Sequence, residues 1–159
     1  MQVFGLQWDS AAGDFPDRAR LKALYVNGAY ATRPVKYRRG LIWIDVLGTA
    51  PESAFWLDVE RGDATPAQVP GWLDEREKSG GGVGGIYCDR SALAAVEAAA
   101  GDRPHYLWVA TLDGTASVTL PGGTGRLAAV QDYPASMVGL DADLSIVVDQ
   151  DYWLAHALP

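Results

Sequence analysis

Ala54-Phe55-Trp56-Leu57-Asp58-Val59-Glu60 is an apolar run that ends in two carboxylates spaced two apart. Read as a strand, it sends Asp58 and Glu60 to the same face, roughly 6–7 Å apart along the chain. One strand then delivers two acids to one pocket. The plain alternative is a strand that runs out into a solvated acidic turn.

Short runs of the same kind, rich in β-branched and aromatic residues, lie on both sides of this one. They predict strands near Val3–Trp8, Ala23–Asn27, Leu41–Val46, Ala54–Val59, Val83–Tyr87, Tyr106–Ala110, Leu127–Gln131 and Leu144–Val148. Alternation with turns and short helical patterns makes the class α/β. One helix follows Asp89-Arg90-Ser91, runs through Ala92–Ala100 and is closed by Gly101, with a capping residue at one end and a glycine at the other. A second spans Pro70–Lys78, where proline suits the first position. A third is expected within Asp14–Leu24. The other links, such as Gly48-Thr49-Ala50-Pro51 and Pro121–Gly125, are too short or too rich in glycine and proline for a helix. Two architectures remain open. An eight-stranded α/β barrel usually needs about 200 residues or more, above the 159 here. An open parallel sheet fits the length better, but Asp9-Ser10-Ala11-Ala12-Gly13 replaces the glycine-rich turn such sheets carry after the first strand.

The composition bounds the partners. One domain over 1–159 is expected, with enough apolar residues (48%) for one core. A net charge of −7 argues against a nucleic-acid backbone as partner, and the basic cluster Lys36-Tyr37-Arg38-Arg39 reads as a solvated turn. No apolar stretch approaches membrane-spanning length, and Met1-Gln2-Val3-Phe4-Gly5 lacks a leader's basic-then-apolar pattern. The expectation is a soluble protein with no signal peptide and no membrane partner.

Several motifs reduce to packing. Gly80, Gly82 and Gly85 satisfy G-x-G-x-x-G, but they precede a strand where phosphate binding needs them to open a helix, so they read as a flexible link and no cofactor is expected. His105 and His156 have no partner at metal-ligand spacing, which gives no metal site. Cys88, the single cysteine, has no evident histidine partner and reads as a small buried side chain.

The acids form the stronger constellation. Asp9 follows the first strand, Asp45 ends the third, Asp58 and Glu60 end the fourth, and Asp143 lies beside the last. In a parallel barrel such ends share one rim, and like charges crowded there raise at least one carboxyl pKa toward that of a general acid. Hydrolysis of a glycosidic bond uses such carboxyls, one to protonate the leaving oxygen and another to face the oxocarbenium-like centre. Tyr87, Trp108, Gln131 and Tyr133 fall near other strand ends, where aromatic faces with polar edges suit sugar rings.

In order and spacing these segments resemble the family-25 glycoside hydrolases, the lysozyme-type muramidases of bacteria and phages, and their glycoside-hydrolase-like relatives in actinobacteria. The likeness covers most of the chain. Phe55–Glu60 resembles that family's Asp-x-Glu strand and Gly85-Ile86-Tyr87-Cys88 its glycine-tyrosine strand. Tyr106–Ala110 is similar to its tryptophan strand, Ala129-Val130-Gln131-Asp132-Tyr133 to its glutamine-aromatic strand, and Asp143-Leu144-Ser145 to its closing Asp-Leu-Asn. The resemblance implies a compact (β/α)8 TIM-like barrel with shortened or missing helices. It implies Glu60 as general acid with Asp58 assisting; the reading of the strand ends adds Asp9 as a second assisting carboxylate and Gln7, Asp45, Tyr87, Trp108, Gln131 and Asp143 as substrate-binding residues. The family's opening strand carries an aspartate two residues after a glycine; here Gln7, which cannot ionise, follows Gly5, and Asp9 stands two further on.

Two functions follow as expectations. The first is hydrolysis of a β-linked amino-sugar polymer such as peptidoglycan, at the bacterial cell wall. The second, favoured by Gln7, the short chain and the missing leader, is an inactive barrel used as a carbohydrate-binding or structural module, for instance in the tail or head of a phage particle.

Overall fold

Eight strands hydrogen-bond in chain order and close on themselves: β1 (Gly5–Asp9), β2 (Leu21–Tyr25), β3 (Leu41–Asp45), β4 (Trp56–Val59), β5 (Gly85–Asp89), β6 (His105–Ala110), β7 (Gly125–Tyr133) and β8 (Asp143–Val147). The computed structural model describes residues 1–31, 39–115 and 117–157, so Lys36, Tyr37 and Arg38 of the basic cluster lie outside the described residues. The sheet is a closed barrel, and the open-sheet alternative falls away.

Strands β1 to β7 run parallel to their neighbours, but β8 is antiparallel to both β7 and β1. The expectation of one rim formed by C-terminal strand ends therefore holds for seven strands. For β8 it is the N-terminal end, Asp143, that reaches this rim. The cause is the link of residues 134–142, which holds only the single-turn helix α1 (Ala135–Val138). A parallel return needs a crossover of about a dozen residues or more, whereas an antiparallel one needs only a turn.

Side chains alternate across the wall. On β4, Trp56 and Asp58 point into the barrel, while Leu57 and Val59 face an outer layer with Ile86, Cys88, Leu107 and Val109 of β5 and β6. Two helices cover that layer: α2 (Val69–Lys78) through Val69, Trp72 and Leu73, and α3 (Leu93–Ala100) through Leu93, Val96 and Ala100. Their starts differ slightly from the expected ones: Pro70 stands at the second position of a helix that opens at Val69, and the other helix opens at Leu93 behind Ala92, with no side-chain cap. Asp89 Oδ1 accepts from the backbone N–H of Ser91 (2.7 Å) and Ala92 (3.0 Å), and Gly101 ends α3 at φ +61°. Cys88 is sealed beneath this layer, where burial pushes its thiol pKa up, away from reactivity.

The helix expected in Asp14–Leu24 does not form. Leu21, Ala23 and Tyr25 are drawn into β2, and Pro16 opens a turn closed by the Ala19 N–H, from which Phe15 and Ala19 pack on the outer face of Leu24. A fourth helix, α4 (Gln150–Ala157), was not expected, and it turns back under the barrel. Its Tyr152 is fully buried, donates to Gln7 Oε1 at 2.6 Å and accepts from Trp56 Nε1 at 3.2 Å. Trp56 and Trp108 meet edge to face at 5.5 Å. Gly85 is required opposite them, because a Cβ there would run into the Trp56 ring. These rings fill the lower barrel, so it is a packed core with a cleft at one end. Among the described residues, no helix is long and apolar enough to cross a membrane.

Candidate functional site

The rim formed by the ends of β1, β2, β4 and β5 and the start of β8 encloses a cleft of about 350 Å³. Asp9, Tyr25, Asp58, Glu60, Tyr87 and Asp143 line it, joined by Asp63 and Asp141.

Its carboxyls are brought together by backbone geometry. Asp9 and Asp143 sit directly opposite each other in the antiparallel β1–β8 ladder, so the reversal of β8 places two acids side by side. Asp58 and Glu60 share a face at the end of β4, as their spacing implies. Beyond them, the turn through Gly62 (φ +105°) is closed by Asp63 N–H donating to the Glu60 carbonyl at 3.2 Å and Ala64 N–H to the Asp58 carbonyl at 3.1 Å. This fold-back brings the Asp63 carboxylate within 4.8 Å of those of Asp58 and Glu60.

Crowding and burial push these acids toward their neutral forms. Burial, then the charges of Glu60, Asp63 and Asp9, raises the Asp58 pKa to about 9. Burial and the facing Asp143 hold Asp9 well above the usual carboxylate range, against the Tyr25 hydroxyl that donates to its Oδ2 at 3.3 Å. Glu60 is raised by burial and by Asp89, Asp63 and Asp143, with the Tyr87 hydroxyl opposing. Burial also raises Asp143, opposed by hydrogen bonds from the Ala135 N–H and Gln131. At neutral pH the cleft therefore holds protons among its carboxyls. Asp9 Oδ1 and Asp58 Oδ1 are buried with no hydrogen-bond partner among the described residues.

The other residues singled out by sequence fall into two groups. Tyr87 and Gln131 join the cleft's wall and its support: the Tyr87 hydroxyl donates to Gln131 Oε1 at 2.6 Å and also faces Glu60, so its single proton serves one of them at a time. Trp108 lies beneath, 4.6 Å from the Tyr87 ring, with its Nε1 donating to Ser145 Oγ at 2.9 Å. Gln7 is deeper still, bound to Tyr152 at the barrel floor, and does not line the cleft. Asp45 is the clearest departure. Its Oδ1 accepts from Asn27 Nδ2 and the Leu47 and Gly48 N–H groups, its Oδ2 from the Ala50 N–H and Trp72 Nε1, and it ties the loop after β3 to α2. No acceptor is left over for a substrate.

Sequence reasoning missed Tyr25 and Asp63. The second strand, expected to reach Asn27, ends at Tyr25, which puts the tyrosine on the rim. Asp63 carried one usable signal, the glycine one residue before it that lets the chain fold back. No protein-family model, curated protein or solved structure matches this chain.

Proposed function

We propose that the protein is a glycoside hydrolase of the family-25 kind, acting on a β-linked amino-sugar polymer such as peptidoglycan, and that its barrel is a (β/α)8-like scaffold trimmed of most helices and with its last strand reversed. The observation that carries this reading is the clustering, in one open cleft, of carboxyls whose surroundings favour the protonated state. Glu60 is the general acid. It is partly exposed at the rim, where a polymer lying across the cleft can reach it, whereas Asp58 is 3% exposed and lies deeper. Glu60 gives its proton to the glycosidic oxygen as the bond to the anomeric carbon breaks. The substrate's acetamido oxygen closes on that carbon from the opposite face and takes up the positive charge that develops, with Asp58 and Asp9 beside it as hydrogen-bonding carboxyls; the Glu60 carboxylate then takes a proton from the water that attacks the anomeric carbon and displaces the acetamido oxygen.

A second reading is a barrel without hydrolytic activity that binds carbohydrate or serves as a structural module, for instance in a phage particle. Gln7 favours it: its side-chain oxygen is engaged by Tyr152 at the barrel floor, and the side chain supplies no charge to the cleft. Release of soluble fragments from purified peptidoglycan by the intact protein and by Glu60→Gln, near pH 5 and pH 7, separates the two. Hydrolysis predicts release by the intact protein and a loss of at least about 100-fold in the variant. No release from either folded protein, with glycan still retained, moves the assignment to the binding module.

A further inference from the structure

The end of β4 carries three carboxylates within one turn of chain, and donors there are fewer than acceptors. We propose that Asp58, Glu60 and Asp63 form a binding site for a calcium-sized divalent cation. One oxygen from each of the three lies within 4.8 Å of the other two. Two oxygens can touch one ion only when they are no further apart than twice the bond length, about 4.6–5.2 Å for calcium. The donor set is all oxygen and anionic, which suits a hard cation and offers nothing to a thiophilic one.

A second observation points to a ligand. Asp58 is 3% exposed, lines the cleft, and its Oδ1 has no hydrogen-bond partner among the described residues. A buried acceptor left without a donor is costly, and a cation meets that need directly. The other acids of the fold are supplied differently. Asp45 has five donors and Asp143 has the Ala135 N–H and Gln131, while Asp9 has the Tyr25 hydroxyl on Oδ2 and, like Asp58, an Oδ1 without a partner among the described residues. Arg61 also lines the cleft, but among the described residues no ion pair joins it to the three carboxylates.

The site is also held in shape. Asp58 is paired in register with Tyr87 of β5, and the two backbone hydrogen bonds of the turn fix Asp63 over the strand end. The open cleft leaves room for water at the remaining coordination positions. This binding does not depend on the hydrolytic reading. Where both hold, an ion on Glu60 takes up the lone pair that must carry the proton, so bound cation suppresses hydrolysis.

The test is terbium luminescence, sensitised through the protein's tyrosines and tryptophans, on the intact chain and on Asp63→Asn and Asp141→Asn, with Ca²⁺ and Mg²⁺ as competitors and circular dichroism to confirm folding. We expect saturable emission near one equivalent, displacement by Ca²⁺ at far lower concentration than by Mg²⁺, and about tenfold or greater weakening in Asp63→Asn. Asp141→Asn, which removes a charge elsewhere on the cleft, should change affinity little. Absence of saturable emission from the intact protein overturns the proposal, as does equal weakening by the two variants, the mark of diffuse attraction to negative charge. Equal displacement by Mg²⁺ overturns the assignment of ion size.

Discussion

Asp45 and Asp58 stand at or next to the ends of adjacent strands, and the donors each one meets send their chemistry in opposite directions. Burial acts to raise both. At Asp45 the Ala50 N–H, Asn27 and Trp72 outweigh it and hold the pKa below the ordinary value, while Asp58 has only neighbouring negative charge and rises to about 9. The same contest operates on Glu60 through a single hydroxyl. Burial raises Glu60, and the Tyr87 hydroxyl opposes it by favouring the ionised form. Tyr87→Phe removes that donor, so the Glu60 pKa should climb further. A general acid works while protonated, and activity falls as pH rises through its pKa. The alkaline limb of the pH–rate profile should therefore move to higher pH in Tyr87→Phe, with the ring's packing on Trp108 retained. An unmoved limb would separate Tyr87 from the protonation of Glu60.

Among the elements, α4 does the most for the barrel relative to its eight residues, because Tyr152 joins β1 and β4 across the interior. Tyr152→Phe keeps the ring but strands Trp56 Nε1 and leaves Gln7 Oε1 without its donor. We expect a loss of about 1–3 kcal/mol in urea unfolding, with the slope unchanged. This helix was not legible in the sequence, since its two buried residues, Tyr152 and Ala157, form no helical stripe. All eight strands were legible, because runs such as Leu41-Ile42-Trp43-Ile44 announce themselves by composition. Strand direction was not, since alternation reads the same from either end; β8 was reversed by a short link. The segment 14–24 misled because Leu21 and Leu24 have helical spacing while Leu21, Ala23 and Tyr25 have strand spacing, and the sheet had a partner to offer. At the site, the Asp58–Glu60 pair was local and visible. The opposition of Asp9 to Asp143 depends on barrel closure, and the exclusion of Asp45 depends on donors from a distant helix.

The whole molecule carries an electrostatic cost for gathering these acids. A carboxyl whose pKa is higher folded than unfolded keeps its proton in the fold over a window where the unfolded chain has released it. For Asp58 that window runs from about pH 4 to about pH 9, so stability should decline as pH rises across it. Below pH 4 the trend reverses, as carboxylates with lowered pKa values, Asp74 beside Arg103 among them, lose their ionised form. Thermal midpoints should thus be higher near pH 5 than near pH 8. Asp58→Asn should raise the midpoint at pH 8 by several degrees, about 2–4 °C for each kcal/mol, and raise it much less at pH 5. A variant no more stable at pH 8 would remove Asp58 as the source of the decline. The reversal of β8 has a consequence for how this barrel can be joined to anything else. Because Gly5 is paired with Val147, the first strand begins and the last one finishes side by side on the face away from the cleft. A fusion partner, a tether or a solid support joined at the start of β1 therefore meets the floor of the barrel, and the acidic mouth stays turned outward toward whatever it is brought to.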